Sequence, residues 1–244
     1  MSSRVATRAI PIATMLFLLA LVTACDGDFI PEVAATATSM PTAVVASPAM
    51  NSIPPTPTRI LAPGEVLVAL GDGTVGRYLV QEQLARRNLP NDAIGETSEV
   101  TGAIVFGADG AVKLGRSGIT VNLQALVSDE SRRDTYLRTN AIQSNTYPEA
   151  TFVLRDVVGL PWPLPVNGDV AFQLIGDMTV HGETNPLRWD VTATFSDGAV
   201  AGQATTRFTF GEYGMSIPKL LFILSVEEDI RLELDFVAEV MRGR

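Results

Sequence analysis

Ile230-Arg231-Leu232-Glu233-Leu234-Asp235-Phe236-Val237-Ala238-Glu239, near the C-terminus, sets an apolar side chain at every second position and, Val237 apart, a charged one between. A period of two is that of a β-strand with one buried face, and no helical phase would separate the two sets so cleanly. The same pattern recurs upstream. Leu187, Trp189, Val191, Ala193 and Phe195 alternate with Arg188, Asp190, Thr192 and Thr194, and Ile119, Val121, Leu123 and Ala125 with Thr120, Asn122 and Gln124. A longer run passes from Val170 through Phe172, Leu174, Gly176 and Met178 to Val180, where Gly176 marks a bend or bulge. Shorter runs at Val100–Phe106, Ala150–Leu154 and Val200–Phe210 complete the set.

Turn residues separate these runs: Ala108-Asp109-Gly110, Asn167-Gly168, His181-Gly182 and Ser196-Asp197-Gly198, each tolerant of positive φ. Two stretches break the pattern. Ser128-Asp129-Glu130-Ser131 can cap a short inserted helix running to about Asn140, and Gln81-Glu82-Gln83-Leu84-Ala85-Arg86-Arg87, within Tyr78–Asn91, reads as a second helical piece. About eight strands with one apolar face each must close on themselves or stack as a sandwich. Alternation alone does not separate these all-β solutions. The bulk of the inward residues favours an eight-stranded antiparallel β-barrel, whose interior is wide enough for side chains or one elongated ligand.

The first sixty residues pack no core. Arg4 and Arg8 precede an apolar run from Ile10 to Val22, followed by Thr23-Ala24-Cys25. That order is expected of a secretory signal over residues 1–24, and the run is shorter than the roughly 20 residues a transmembrane helix needs. Val22-Thr23-Ala24-Cys25 resembles the lipobox of bacterial lipoproteins, which implies an acyl anchor on Cys25, the one cysteine of the chain. An ordinary signal peptide with a chance cysteine is the alternative, and either way no internal disulfide is available. Residues 25–63 are rich in Ala, Thr, Pro and Ser, as in Pro54-Pro55-Thr56-Pro57-Thr58, and read as an extended tether. The folded domain is expected over 64–244, exported and held at the extracytoplasmic face of a bacterial membrane through acylated Cys25.

The chain carries 18 basic and 27 acidic residues, net −9 with histidine neutral, or −11 once Arg4 and Arg8 leave with the signal. Such a surface repels nucleic acid, which is therefore excluded as a general partner. With one histidine, His181, and no free mature thiol, neither a histidine-based triad nor a cysteine nucleophile nor a His/Cys zinc site can be assembled. His181 is expected to fix its turn by bonding nearby backbone. Asp129, Glu130 and Asp134, beside Arg132, Arg133 and Arg138, read as exposed helix-surface ion pairs rather than acid/base machinery, with Asp134 alternatively bracing the loop. No catalytic residue, metal site or cofactor is expected.

Three ordered motifs carry a resemblance. Arg133-Asp134-Thr135-Tyr136-Leu137-Arg138, then Tyr147-Pro148-Glu149-Ala150-Thr151-Phe152, then Gly176-Asp177-Met178-Thr179-Val180-His181-Gly182-Glu183-Thr184-Asn185-Pro186 resemble RDxHLRS, KYPxITF and GDLTIHGVTKP of the YceI-like family, over roughly residues 64–240. The resemblance implies an extended lipocalin-like barrel whose elongated cavity binds a polyisoprenoid or similar long apolar lipid, and thus carriage rather than chemistry. The lining it implies comprises Val121, Leu123, Phe152, Leu154, Phe172, Leu174 and Met178 from the earlier strands. Trp189, Val191, Phe208, Phe210, Leu232, Leu234 and Phe236 extend it. Leu220, Leu221 and Phe222, in the apolar stretch Ile217–Leu224, suggest a lid, an end plug or a membrane contact. Tyr136 replaces the motif's histidine and Asn185 its lysine, so any headgroup contact made by those two cations is in doubt. A solid-cored interaction barrel, an enzyme acting on a prenyl lipid, and a homodimer stay open at this stage.

Overall fold

The computed structural model describes residues 61–85, 89–219 and 223–244; Cys25 and the suggested lid residues Leu220, Leu221 and Phe222 lie outside them. Among the described residues eleven strands are formed: β1 Val66–Leu70, β2 Val75–Leu84, β3 Asn91–Thr97, β4 Val100–Phe106, β5 Gly118–Asn122, β6 Val127–Ser128, β7 Glu149–Val158, β8 Asn167–Val180, β9 Glu183–Ser196, β10 Ala199–Thr209 and β11 Ile223–Arg242. Every pairing is antiparallel.

Closure depends on β11. One edge pairs with β10, while the other takes β1 through Leu70↔Ala238 and then β2 through Val75↔Asp235. β1 and β2 are two halves of one bent strand, and β4 and β3 pair with them in the same order. The bend falls at Gly71–Thr74, where Gly73 has φ 92° and the Thr74 hydroxyl donates to the Gly71 carbonyl at 2.9 Å. Counted this way there are eight strand positions around a closed barrel, with β6 extending the position of β5, so the expected all-β architecture is the one observed.

The alternation reads through directly. Along β9 the sequence Trp189, Val191, Ala193, Phe195 is buried and the residues between are exposed. His181 and Gly182, with φ 54° and 82°, make the β8–β9 turn, and Asp197 and Gly198, with φ 42° and 87°, the β9–β10 turn. Gly176 sits opposite a bulge in β7 between Leu154 and Asp156, and a Cβ there would lie 2.4 Å from the Val153 carbonyl oxygen.

Three details differ from expectation. Gln81–Leu84 are strand, not helix: the inward positions of β2 include Glu82, and a carboxylate there hides the period from a reading based on apolarity. Asn167-Gly168 begins β8 rather than forming a turn, the connection from β7 being 159–166. Regular pairing of β5 stops at Asn122, although Leu123 remains buried.

The two barrel ends are unlike. At one, Leu164 packs with Val66 and Phe106, and Trp162, its ring 5.6 Å from that of Phe106, donates from Nε1 to the Ala108 carbonyl at 3.1 Å. This end is plugged. The other carries α1 (Ser131–Tyr136), continued by a wider π-type turn over Leu137–Ala141, and a 3-10 turn at Gly211–Tyr213. Glu130, rather than Ser128, caps α1, accepting from the Arg132 backbone N–H at 3.1 Å.

Candidate functional site

The inward faces do not fill the barrel. A cavity of about 130 Å³ occupies its middle and helical half, and a second of about 60 Å³ lies toward the plugged end. At about 10–15 Å³ for each water-sized group, the first has room for roughly ten such groups. Ile119, Leu174, Ala204 and Leu234 line both, so the two are adjacent and these four side chains form the neck between them. A third recess of about 30 Å³, between α1 and the start of β11, shares Tyr78, Val80, Leu137 and Phe210 with the first and is bordered outward by Tyr136, Pro218, Ile223 and Val226.

Of the residues expected to line a lumen, Val121, Leu123, Phe152, Met178, Trp189, Phe208, Phe210 and Leu232 border the main cavity. Phe172, Val191 and Phe236 border the second, and Leu174 and Leu234 both. Leu154 borders none; it is 1 % exposed and belongs to solid core. Alternation alone missed Tyr78, Val80, Leu137, Ile142 and Met215, which come from the obscured β2 and from irregular segments carrying no period.

The lining is apolar almost throughout, and the recess at the helical end adds Glu82 and Arg133. Arg133 is buried there. Its guanidinium Nη2 donates to Glu82 Oε1 at 2.7 Å and Nη1 to Asp129 Oδ1 at 2.6 Å, with the Glu82 side chain only 2 % exposed. Burial draws the Arg133 pKa down, and the bond to Asp129 with the charge of Glu82 more than offsets it, so the net displacement is upward. Asp134, also buried, accepts from the Ser128 backbone N–H at 3.0 Å and its hydroxyl at 2.7 Å, pinning the entry to α1. The expectation of exposed surface pairs is corrected for Arg133 and Asp134, which stand on the inner face of α1 with Glu82 supplied by a strand 51 residues earlier, whereas Asp129 is exposed and pairs with Arg133 four residues on, as expected. The alternative of Asp134 as a brace is the geometry found.

Tyr78 completes the cluster. Its ring lies flat over Gly95, where a Cβ would fall 2.2 Å from Cε1 and 2.7 Å from the hydroxyl, so the aromatic position depends on glycine across the strand pair. Burial pushes the phenol pKa up. The hydroxyl lies beside the Ser128 side chain, and Arg133 Nε has no hydrogen-bond partner. At the β8–β9 turn His181 Nδ1 lies 3.1 Å from the Tyr213 carbonyl oxygen, and Asn185 Nδ2 donates to the Glu212 carbonyl at 2.6 Å. Both side chains thereby fasten the hairpin to the 3-10 turn, a structural use of the two motif positions. Tyr213, 1 % exposed with its phenol pKa pushed up to about 12 by burial, stacks edge-on to Phe208 at 4.5 Å. Among the described residues no group of His, Cys, Asp and Glu is placed to hold a metal ion.

No curated protein matches this chain in sequence. Among solved structures, a polyisoprenoid-binding domain from Saccharophagus degradans, implicated in plant cell wall breakdown, superposes with TM-score 0.54 at 9 % identity, covering 72 % of this chain and 98 % of its own. BcnA of Burkholderia cenocepacia superposes with TM-score 0.50 at 14 % identity, covering 67 % and 95 %. At these identities the likeness is one of fold. The sequence model of the YceI-like domain matches residues 85–238, which takes in all three motifs, the strands from β3 to most of β11, and Arg133 and Asp134 of the polar cluster, and on that match the chain belongs to the YceI-like family.

Proposed function

We propose that this protein is a carrier that holds a long apolar lipid of the polyisoprenoid class non-covalently along the barrel axis, and performs no chemistry on it. One observation carries the reading: two adjacent cavities lie inside a closed barrel, meet at four shared side chains and are walled almost wholly by hydrocarbon. A prenyl chain removed from water into such a lining gains about 25 cal/mol per Å² buried. The fold it shares with a polyisoprenoid-binding domain supports the same ligand class. The recess between Tyr136 and Pro218, Ile223 and Val226 is the route of entry.

Native extraction followed by mass spectrometry is the direct test, with a retained prenyl lipid as the expected result. Ala204, 2 % exposed and lining both larger cavities, offers the control. Ala204→Phe is expected to fill the neck and cut retained lipid at least tenfold while the purified variant keeps its β-sheet circular dichroism. Unchanged loading in the folded variant would place the ligand elsewhere.

The location belongs to the same proposal. With the lipobox-like Val22–Cys25 ahead of a Pro/Thr-rich stretch, the carrier is exported and anchored at the outer face of a membrane through acylated Cys25. Two or more acyl chains, at about 0.8 kcal/mol per buried methylene, suffice for stable anchoring. Cys25→Ala is expected to move the protein from the membrane to the soluble fraction and abolish incorporation of labelled palmitate; retention in the membrane would refute the anchor.

A further inference from the structure

A long apolar guest needs an opening, and the barrel has few places to make one. A passage through the wall breaks strand pairing, and the far end is plugged by Leu164 and Trp162. Two covers remain at the helical end. The 3-10 turn at Gly211–Tyr213 is fastened from several directions: His181 Nδ1 lies 3.1 Å from the Tyr213 carbonyl oxygen, Asn185 Nδ2 donates to the Glu212 carbonyl at 2.6 Å, and Thr209 donates to the Glu212 carboxylate from its backbone N–H at 2.6 Å and its hydroxyl at 3.0 Å. The other cover, residues 129–146 with α1 and the π-type turn, is held more lightly. Among the described residues none of its backbone hydrogen bonds reaches a barrel strand: Gln143 and Asn145 donate to the Leu137 and Arg138 carbonyls, and Thr146 to that of Gln143. Asp134 and Arg138 bond only to Ser128 and Leu126, in the stretch that leads into it. Arg133–Glu82, at 2.7 Å, is the one ion pair among the described residues that joins it to the wall. Beneath it, Leu137 and Ile142 face the main cavity, where a bound hydrocarbon can replace the contacts they make.

We infer that residues 129–146 are a hinged gate over the barrel mouth, and that the buried pair Arg133–Glu82 is its latch. The inference rests on the lumen reading above and adds how the lumen is opened. A buried ion pair contributes little net stability beside apolar groups of the same volume, and its best-attested use is to fix the register of two elements. Here it fixes α1 on β2. Opening separates the two charges before water reaches them, so the pair slows the swing more than it tightens the closed state. The π-type turn at Leu137–Ala141 departs from regular helix where the gate meets the cavity, and Gln143, with φ 53°, turns the chain back toward β7. Leu137 stands in the walls of both the main cavity and the recess, so its departure with the gate joins the two into one mouth.

Glu82→Met together with Arg133→Met removes the latch and keeps the interior filled. Geranylgeranyl anthranilate serves as probe, its fluorophore accepting emission from Trp189 in the cavity wall. Stopped-flow mixing gives its association rate, and a chase with unlabelled geranylgeraniol its dissociation rate. Both rates are expected to rise about tenfold in the double variant while Kd stays within about threefold, because neither residue lines the main cavity. Asn185→Ala, which loosens the 3-10 turn instead, is expected to leave both rates within about twofold of the unaltered protein. In the unaltered protein the amide hydrogens of 131–142 are expected to exchange about a hundredfold faster than those of β9 and β10, and to slow when the probe is bound; should the double variant fail to fold, this comparison decides alone. Unchanged rates in the folded double variant, faster rates in Asn185→Ala alone, or amides of 131–142 as protected as those of β9 overturn the gate while leaving the lumen reading intact. No binding of the probe by the unaltered protein defeats the lumen reading itself.

Discussion

Arg133→Ala is expected to lower the stability of the barrel by about 3–5 kcal/mol, because it leaves Glu82 buried with no counter-charge. The mechanism separates this position from pairs on the outer surface. Arg77 bridges Glu96 and Asp235 on the outer surface, and Arg155 pairs with Asp177, but each of these pairs has a side chain at least two-fifths exposed, where a pair contributes only up to about 1 kcal/mol. At Arg133–Glu82 the two side chains are 9 % and 2 % exposed, so water cannot take over solvation of the survivor. The same logic predicts that Arg133→Met together with Glu82→Met recovers most of the loss, the interior then holding two apolar groups in place of an uncompensated charge. Urea unfolding of both single variants and the double variant checks this. A single-variant cost within about 0.5 kcal/mol, the range of ordinary surface changes, would show that the pair is not buried in solution.

That pair also explains what the sequence made legible and what it concealed. Alternation exposed β8 through β11 because their inward positions are apolar without exception at the points that matter: Phe172, Leu174, Met178 on β8, Trp189 to Phe195 on β9, Leu232 to Phe236 on β11. β2 was obscured because one of its inward positions is Glu82, tolerable inside only through a partner supplied by α1, and no local pattern announces a partner 51 residues away. Arg133 and Asp134 looked like surface charges for the same reason. Their motif membership was readable, while their burial is a tertiary fact. Gly176 was readable as a break in regularity, and its place opposite the β7 bulge accounts for it. The degree of filling was beyond the sequence: parity tells which side chains point inward, and their volumes against the barrel's diameter decide whether they meet.

Leu154 and Leu234 turn that last distinction into a measurement. Both are inward leucines with little exposure, 1 % and 7 %, yet Leu154 is packed on all sides whereas Leu234 stands at the neck between the two larger cavities. Truncating a fully packed leucine removes its transfer free energy and opens a new void, so Leu154→Ala is expected to cost about 2–5 kcal/mol, toward the upper part of that range. A leucine already facing empty space has fewer neighbours to lose, since its cavity side contributes no dispersion contacts. Leu234→Ala is accordingly expected to cost measurably less in the same urea series. The two variants should diverge in the opposite sense on binding. Leu234→Ala widens the neck and is expected to let the barrel retain longer prenyl chains in native mass spectrometry, while Leu154→Ala leaves the retained chain-length distribution as it was. Equal stability losses would mean that the neck is closed in the empty protein, with the lumen opening only as a ligand enters; a larger loss at Leu234 would mean that the interior around it is solid, and the tunnel would then have to lie elsewhere than along the barrel axis.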